Sequence, residues 1–166
     1  LVVEDEPIAR EAIAALLRRD VRTVHLAADG REGLEVFDRH HPEIVVTDIR
    51  MPVMNGLAMA REIRRRPQRS HIIVTTAHND TGFFLEAIDI GIDQYVLKPV
   101  DRQRLFEAVR KCVEVISLER TVAFKEEEKK RLIGELQDAL ARIKTLRGLI
   151  PICSSCKKIR DDRGYW

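Results

Sequence analysis

The sequence predicts a doubly wound α/β domain built on a five-stranded parallel sheet. Two observations carry this prediction. Short β-branched runs alternate with stretches of helical period over residues 1 to about 110, and the central runs at residues 44–46 and 72–74 contain only Ile and Val. Continuous apolar runs of this kind are typical of strands that are buried on both faces, as in parallel sheets covered by helices.

Each predicted strand is one of these β-branched runs. The strands are expected at residues 1–4, 23–28, 44–48, 72–76 and 94–97. The first helix is predicted from Ile8, Ala12 and Leu16, which recur at four-residue spacing, with Ile13 and Leu17 on the same side. We therefore expect this apolar stripe to face the sheet.

After Pro99 the alternation stops, and residues 101–147 contain no proline and a single glycine, Gly134, which predicts one long helix. On its distal part, alternating steps of three and four residues select a seam that is apolar except for two lysines. The seam consists of Val115, Leu118, Val122, Lys125, Lys129, Leu132, Leu136, Ala139, Ile143, Leu146 and Ile150. This pattern predicts a homodimer through a parallel coiled coil. The alternative is a helix that folds back on the α/β domain, with residues 125–131 as a solvated face.

Composition and charge limit the classes of protein to which this chain can belong. Hydrophobic residues make up 45% and charged residues 34%, which is typical of a folded chain with a sizeable core. The net charge of +2 argues against a strongly basic nucleic-acid binder. We expect no membrane span, because no run of about 18 apolar residues exists. The sequence also shows no pattern typical of a signal peptide, so none is expected. Three cysteines are too few for a disulfide framework, so a reducing cytoplasm is expected.

Acidic groups and a lysine follow the predicted strands where each strand ends. Glu4 and Asp5 follow the first strand, Asp48 ends the third, Thr76 ends the fourth and Lys98 follows the fifth. Ligands bind at this edge of open parallel sheets. Neighbouring carboxylates repel one another and favour a hard cation such as Mg²⁺, and an aspartate held beside a metal and an ammonium can accept a phosphoryl group. Taken singly, such acids often only cap the next helix, and such a lysine is often a surface residue.

Four motifs together resemble the receiver domain of a two-component response regulator. They are LVVEDEP at residues 1–7, VTDIRMPVMNG at 46–56, VTTA at 74–77 and YVLKP at 95–99. The resemblance covers residues 1–115 and implies a flavodoxin-like sheet of strand order 2-1-3-4-5. It also implies a cis peptide at Pro99, whereas Gly56 and Gly91 are interpreted as turn glycines.

The resemblance implies a role for each site residue. Asp48 is the expected phosphoacceptor, and Mg²⁺ is expected to be held by Glu4, Asp5, Asp48 and the backbone carbonyl of Arg50. At the first of these positions Asp is commoner than Glu in the family. Because the side chain of Glu4 is longer, it is expected to hold the metal through water. Thr76 is the expected switch hydroxyl, Lys98 the lysine that pairs with the phosphoryl group, and Tyr95 the aromatic that changes rotamer. The residues alone leave an alternative to both switch roles. Thr76 is then an ordinary β-branched strand residue, and Tyr95 is a half-buried aromatic residue of a strand.

These features predict a bacterial, cytoplasmic response regulator that accepts a phosphoryl group from a histidine kinase or phosphotransfer protein. We expect no enzyme activity beyond assistance of its own phosphorylation and dephosphorylation. The alternative is a Mg²⁺-dependent phosphatase with an aspartate nucleophile, but that class carries a second acid where this chain has Arg50. A third interpretation is an interaction scaffold with a vestigial acid site. Arg50 either shields the acyl phosphate or is an ordinary loop residue.

The tail carries a C-x-x-C pair, Cys153 and Cys156, after Pro151. One pair is half of a tetrahedral zinc site. The tail resembles the start of a small cysteine-bearing module that follows coiled coils in some bacterial signalling proteins, truncated before its second pair. Three interpretations stay open: an orphaned or disordered half-site, a Zn²⁺ site pooled between two chains, and a redox pair. The predicted organisation is a receiver at 1–115, a coiled coil at 116–148 and this module at 149–166.

Overall fold

The computed structural model describes residues 1–77, 83–147 and 155–156. Within these residues, five strands form one parallel sheet in the order β2-β1-β3-β4-β5. The strands are β1 Val2–Val3, β2 Leu26–Ala27, β3 Ile44–Asp48, β4 His71–Thr76 and β5 Gln94–Leu97. The predicted fold class and strand order are therefore confirmed.

Helices alternate with these strands along the chain. They are α1 Pro7–Leu17, α2 Gly30–His40, α3 Gly56–Arg64, α4 Phe84–Ile90 and α5 Arg102–Arg147. Local sequence explains where two of them begin. The Asp29 carboxylate accepts from the backbone N–H groups of Arg31 and Glu32 at the start of α2, and the Asn55 side chain accepts from that of Ala58 at the start of α3.

The first two strands are shorter than predicted. β1 and β2 pair only through Val2 with Leu26 and Val3 with Ala27, so residues 23–25 lie outside the strand. Two backbone hydrogen bonds connect the strands. The Val2 N–H donates to the His25 carbonyl, and the Glu4 N–H donates to the Ala27 carbonyl. The ladder is short because the chain turns from Glu4 into α1 after four residues.

The core consists of two apolar layers, one on each face of the sheet. Residues alternate between them along each strand, with Val45 and Ile72 on one face and Val46 and Ile73 on the other. The first layer packs against α2, α3 and α4, and the second packs against α1 and the first turns of α5. The sheet is thus covered on both sides, which explains the continuous apolar runs of β3 and β4.

The predicted stripe of α1 is partly wrong. Ile13 and Leu17 are buried in the second layer, but Ile8 is 80% exposed and Ala12 is also exposed. The buried residues of α1 are Ile13, Ala14 and Leu17, so the buried stripe is narrower than predicted and includes Ala14. The four-residue spacing correctly predicted the helix. Which of its faces is buried depends on how α1 packs against the second apolar layer.

The chain divides into two units, Leu1–Ile116 and Ser117–Trp166. The described part of the second unit comprises the end of α5 and the turn at residues 155–156. Four apolar seam residues in it are between 46% and 64% exposed, namely Leu118, Val122, Leu132 and Leu136. None of the described helices has a stretch apolar enough and long enough to cross a membrane.

Candidate functional site

The carboxyl ends of the strands bring three acidic side chains together. Glu4 directly follows β1 and Asp48 is the last residue of β3, while Asp5 follows Glu4 in the turn before α1. One carboxylate oxygen of each residue lies within 4.8 Å of the others. Because β1 and β3 are parallel neighbours, their ends meet at the same edge of the sheet, as the strand-end argument predicted.

Lys98 joins two of these acids. Its ammonium Nζ lies 2.8 Å from Asp48 Oδ2 and 3.1 and 2.9 Å from the two carboxylate oxygens of Glu4. Glu4 is only 2% exposed, whereas the Lys98 side chain is 30% exposed. Lys98 is therefore part of the site and is not an ordinary surface lysine, and Glu4 directs both of its oxygens towards it.

Burial and neighbouring charges shift the pKa values of Glu4 and Lys98. Burial raises the pKa of Glu4 above its ordinary value, and the charges of Asp48 and Asp5 add to this, while Lys98 opposes it. Burial alone would lower the pKa of Lys98, but its hydrogen bonds and ion pairs with Asp48 and Glu4 outweigh burial, so that its pKa is raised. Lys98 consequently remains an ammonium at neutral pH.

The backbone around Asp48 is tightly held. Asp48 Oδ1 accepts from the Ile49 N–H at 2.7 Å, and the Gly56 N–H donates to the Ile49 carbonyl at 3.0 Å. A Cβ at Gly56 would lie 1.9 Å from the Asp48 carbonyl oxygen. Gly56 is therefore required by close approach at the start of α3, which corrects its interpretation as a turn glycine. Gly91, with a φ of 76°, is the turn glycine that was predicted.

Arg10 is a supporting residue that sequence reasoning missed. Its guanidinium Nη1 donates to the Glu4 carbonyl at 2.6 Å and to the Asp5 carbonyl at 3.3 Å. It thereby ties α1 to the loop that carries both acids. The sequence shows only a basic residue one turn into a helix, and charge pattern gives no sign of a contact with backbone carbonyls.

Thr76, Tyr95 and Arg50 lie around this cluster. Thr76 is buried at the end of β4, its hydroxyl donates to the Ala77 carbonyl at 3.2 Å, and its own carbonyl accepts from the Lys98 N–H at 2.8 Å. Tyr95 lies on β5 and is 37% exposed. Arg50 is exposed in the loop after β3, and the Lys98–Pro99 peptide is cis, as the resemblance implied.

The donor set fits a hard divalent cation. Three carboxylates and one ammonium leave an excess of two negative charges at the site, and carboxylate oxygens are the ligands that Mg²⁺ prefers. Within the described residues, this is the only group of three or more acidic, histidine or cysteine side chains close enough to share a metal. Of the predicted cysteine pair, Cys153 lies outside the described residues and Cys156 is exposed.

Comparison with known proteins gives consistent results. The family model described as the response regulator receiver domain matches residues 1–110. The positive alginate biosynthesis regulatory protein of Pseudomonas aeruginosa is 39% identical over 115 residues, which cover 68% of this chain and 46% of that protein. The regulatory protein AtoC of Escherichia coli is 31% identical over 122 residues, which cover 74% of this chain and 26% of that protein. The chain thus spans less than half the length of these relatives.

A solved structure shares the fold. The REC domain of AraT, a response regulator from Geobacillus stearothermophilus, superposes with a TM-score of 0.66 at 35% identity. The match covers 72% of this chain and 95% of that one. The similarity therefore includes nearly the whole of that domain, while part of the present chain extends beyond it.

Proposed function

Because this chain belongs to the family of response regulator receiver domains, we propose that Asp48 accepts a phosphoryl group from a histidine kinase or a phosphotransfer protein. The observation that carries the assignment to Asp48 is its position between Lys98, at 2.8 Å, and the carboxylates of Glu4 and Asp5. It is the acid at the end of a central strand, and it has both a cationic partner and neighbouring metal-binding oxygens.

In the proposed reaction an oxygen of the Asp48 carboxylate attacks the donor phosphorus. The new O–P bond forms as the bond from phosphorus to the donor imidazole nitrogen breaks, and the released imidazole takes up a proton from solvent. Lys98 lies where its ammonium can pair with a phosphoryl oxygen. The protein acts here as a phosphoacceptor that assists its own phosphorylation and dephosphorylation, without turnover of other substrates.

Mg²⁺ is the proposed cofactor, held by Asp5, Asp48, the backbone carbonyl of Arg50 and, directly or through water, Glu4. When bound, it offsets the negative charge on the phosphoryl oxygens. The argument for Asp5 and Asp48 is their proximity in a cluster of hard oxygen donors. Since Glu4 places both oxygens on Lys98, its contact with the metal through water is the arrangement we favour.

The proposed switch consists of Thr76 and Tyr95. Phosphorylation adds about −1.5 to −2 charge and three acceptor oxygens. The Thr76 hydroxyl belongs to the residue whose backbone carbonyl accepts from the Lys98 N–H. A rotation of Thr76 towards the phosphoryl group would release space that the half-exposed Tyr95 ring can fill. The change would be transmitted through the surface of α4 and β5.

Incubation with acetyl phosphate and Mg²⁺ tests the acceptor. Intact-mass spectrometry should show the addition of one phosphoryl group to the wild-type protein and to Asp20→Asn, which changes an exposed aspartate. Asp48→Asn should remain unmodified. The proposal would be contradicted if Asp48→Asn gained a phosphoryl group or if peptide mapping located the group on another side chain. In a separate assay, rapid hydrolysis of many phosphate esters would favour the phosphatase alternative.

We also propose that a second copy of this chain covers the seam of α5 in a parallel coiled coil. Its apolar residues are exposed along the described helix, and each contributes about 1–2 kcal/mol when buried. Their sum exceeds an association cost of at least about 4 kcal/mol. Sedimentation equilibrium of the full chain should show a dimer, whereas Leu132→Asp should shift it to monomer. A wild-type monomer at all accessible concentrations would refute this part.

The cysteine tail and the compartment complete the proposal. A dimer that brings two C-x-x-C pairs together would supply the four thiolates of a zinc site. Metal analysis of the purified dimer checks this, and less than about half a zinc per chain would exclude pooling. The proposed compartment is the bacterial cytoplasm, where histidine kinases present their phosphoryl groups.

A further inference from the structure

Two lysines interrupt the apolar seam of α5, and each has a glutamate next to it in sequence. Lys125 is followed by Glu126, and Lys129 is preceded by Glu128. All four side chains are exposed on the described helix. The heptad that places Val122 at position a assigns Lys125 to d, Glu126 to e, Glu128 to g and Lys129 to a. Glu127, between the two glutamates, falls at f on the outer face.

We propose that these residues form a charged layer that fixes the pairing of two copies of this chain as parallel and in register, an inference that rests on the proposed dimer. In a parallel pair, a residue at a packs beside the preceding g residue of the other helix, and a residue at d packs beside the following e residue. Lys129 therefore lies beside Glu128 of the partner subunit, and Lys125 lies beside Glu126 of the partner subunit.

The layer is compatible with an apolar seam because of the shape of lysine. Its methylene stem packs against the seam while its ammonium extends to the edge of the helix pair, where the e and g carboxylates are. Two lysines and two glutamates per chain give four ion pairs between the chains. The like charges of the facing lysines are thereby compensated within the same layer.

A shifted register loses half of this compensation and places each lysine against an apolar residue. A shift by one heptad places Lys125 of one chain opposite Leu132 of the other and Lys129 opposite Leu136. Each lysine then disrupts an apolar layer, and its neighbouring e and g positions are changed as well. In this register one Lys125 lies beside Ile133 at e and one Lys129 lies beside Thr121 at g, so two of the four ion pairs are lost. The other two lysines lie beside Glu119 and Glu135 and keep a carboxylate partner. The charged layer thus penalises shifted pairing at both lysines.

Sedimentation equilibrium of the full chain tests the ion pairs with single, matched substitutions. Glu128→Lys and Glu126→Lys each replace two attractive contacts per dimer by repulsive ones, so the dimer dissociation constant should rise about tenfold or more. Glu127→Lys makes the same charge change at the adjacent outward position and should change it by less than about twofold. Equal effects of Glu127→Lys and Glu128→Lys in a dimeric protein would overturn the charged layer and leave the dimer standing.

Cross-linking tests the register. In a chain with Cys153→Ser and Cys156→Ser, Leu118→Cys places one thiol at a d position, and oxidation by copper phenanthroline should join two chains covalently. Adding Lys125→Leu and Lys129→Leu should preserve the dimer but lower the cross-linked fraction, since several registers then become comparable. No cross-link in the first variant, or no decrease in the second, would overturn the inference. A monomeric wild-type chain would instead refute the proposed dimer itself.

Discussion

Gly56→Ala tests how closely α3 approaches the proposed acceptor. The added Cβ would lie 1.9 Å from the Asp48 carbonyl oxygen and 2.8 Å from Thr47 Oγ1, where ordinary contacts begin near 3.4 Å. The start of α3 and the end of β3 must therefore move apart by more than about 1 Å. Overpacking of this kind costs about 1–3 kcal/mol, and weakening of the bond from the Gly56 N–H to Ile49 adds about 1 kcal/mol. The higher helix propensity of alanine stabilises α3 by at most about 1 kcal/mol.

We therefore expect Gly56→Ala to lower the free energy of unfolding by about 1–4 kcal/mol, measured by urea denaturation with far-ultraviolet circular dichroism. Labelling by acetyl phosphate should also slow, because the Asp48 main chain is displaced. The matched control is Gly134→Ala, on an exposed helix with nothing within 4 Å of the new Cβ. It should raise helix stability by about 0.5–1 kcal/mol. A Gly56→Ala protein within about 0.5 kcal/mol of wild type, with unchanged labelling, would refute the close-approach argument.

Three further substitutions probe the surroundings of the site. Arg10→Ala removes the guanidinium that holds the acidic loop and should weaken Mg²⁺ binding about tenfold in isothermal titration calorimetry, whereas Arg19→Ala should leave it unchanged. Burial raises the pKa of the Cys112 thiol to about 11, so between pH 9 and 11 the folded chain binds a proton that the unfolded chain has lost. Stability should consequently fall as the pH rises through this window, by up to about 2 kcal/mol, and Cys112→Ala should lack this contribution in pH-dependent urea denaturation. Arg50→Ala should shorten the half-life of phosphorylated Asp48 severalfold if Arg50 shields it from water, and an unchanged half-life by intact mass would remove that role.

The central strands could be predicted from the sequence because they are buried on both faces of the sheet, which requires continuous apolar runs. β3 and β5 have the predicted bounds, and β4 begins one residue early, at His71. The convergence of Glu4 and Asp48 followed from parallel topology, since β1 and β3 are neighbours and their ends meet. Lys98 follows β5, which β4 separates from β3, so its contact with both acids also depends on the reach of its long side chain. The edge pair of β1 and β2 was overestimated, because β-branched residues continue beyond the point where the ladder stops.

Features that depend on three-dimensional proximity could not be predicted. The requirement for glycine at position 56 comes from a carbonyl eight residues earlier in the chain, and the pattern of turn residues gives no measure of that distance. The role of Arg10 likewise depends on backbone carbonyls, which every residue carries and which no sequence pattern distinguishes. The exposure of Ile8 depends on the position of α1 over the second apolar layer. Periodicity therefore predicts elements and their ends, whereas close approach and helix phase require the packed structure.

The position of Lys98 has a consequence for the proposed switch. Its ammonium is shared between the Asp48 carboxylate and both oxygens of Glu4, at distances near 3 Å. At an effective dielectric constant of 20, one unit charge at that distance contributes about 5 kcal/mol. Replacement of the single charge on Asp48 by about two charges on a phosphoryl group nearly doubles the attraction on that side, while the attraction of Glu4 is unchanged. In the proposed switch this balance would move the Lys98 ammonium towards the phosphoryl group. The backbone N–H of Lys98 donates to the Thr76 carbonyl, so the main chain joins this lysine to the residue that ends β4.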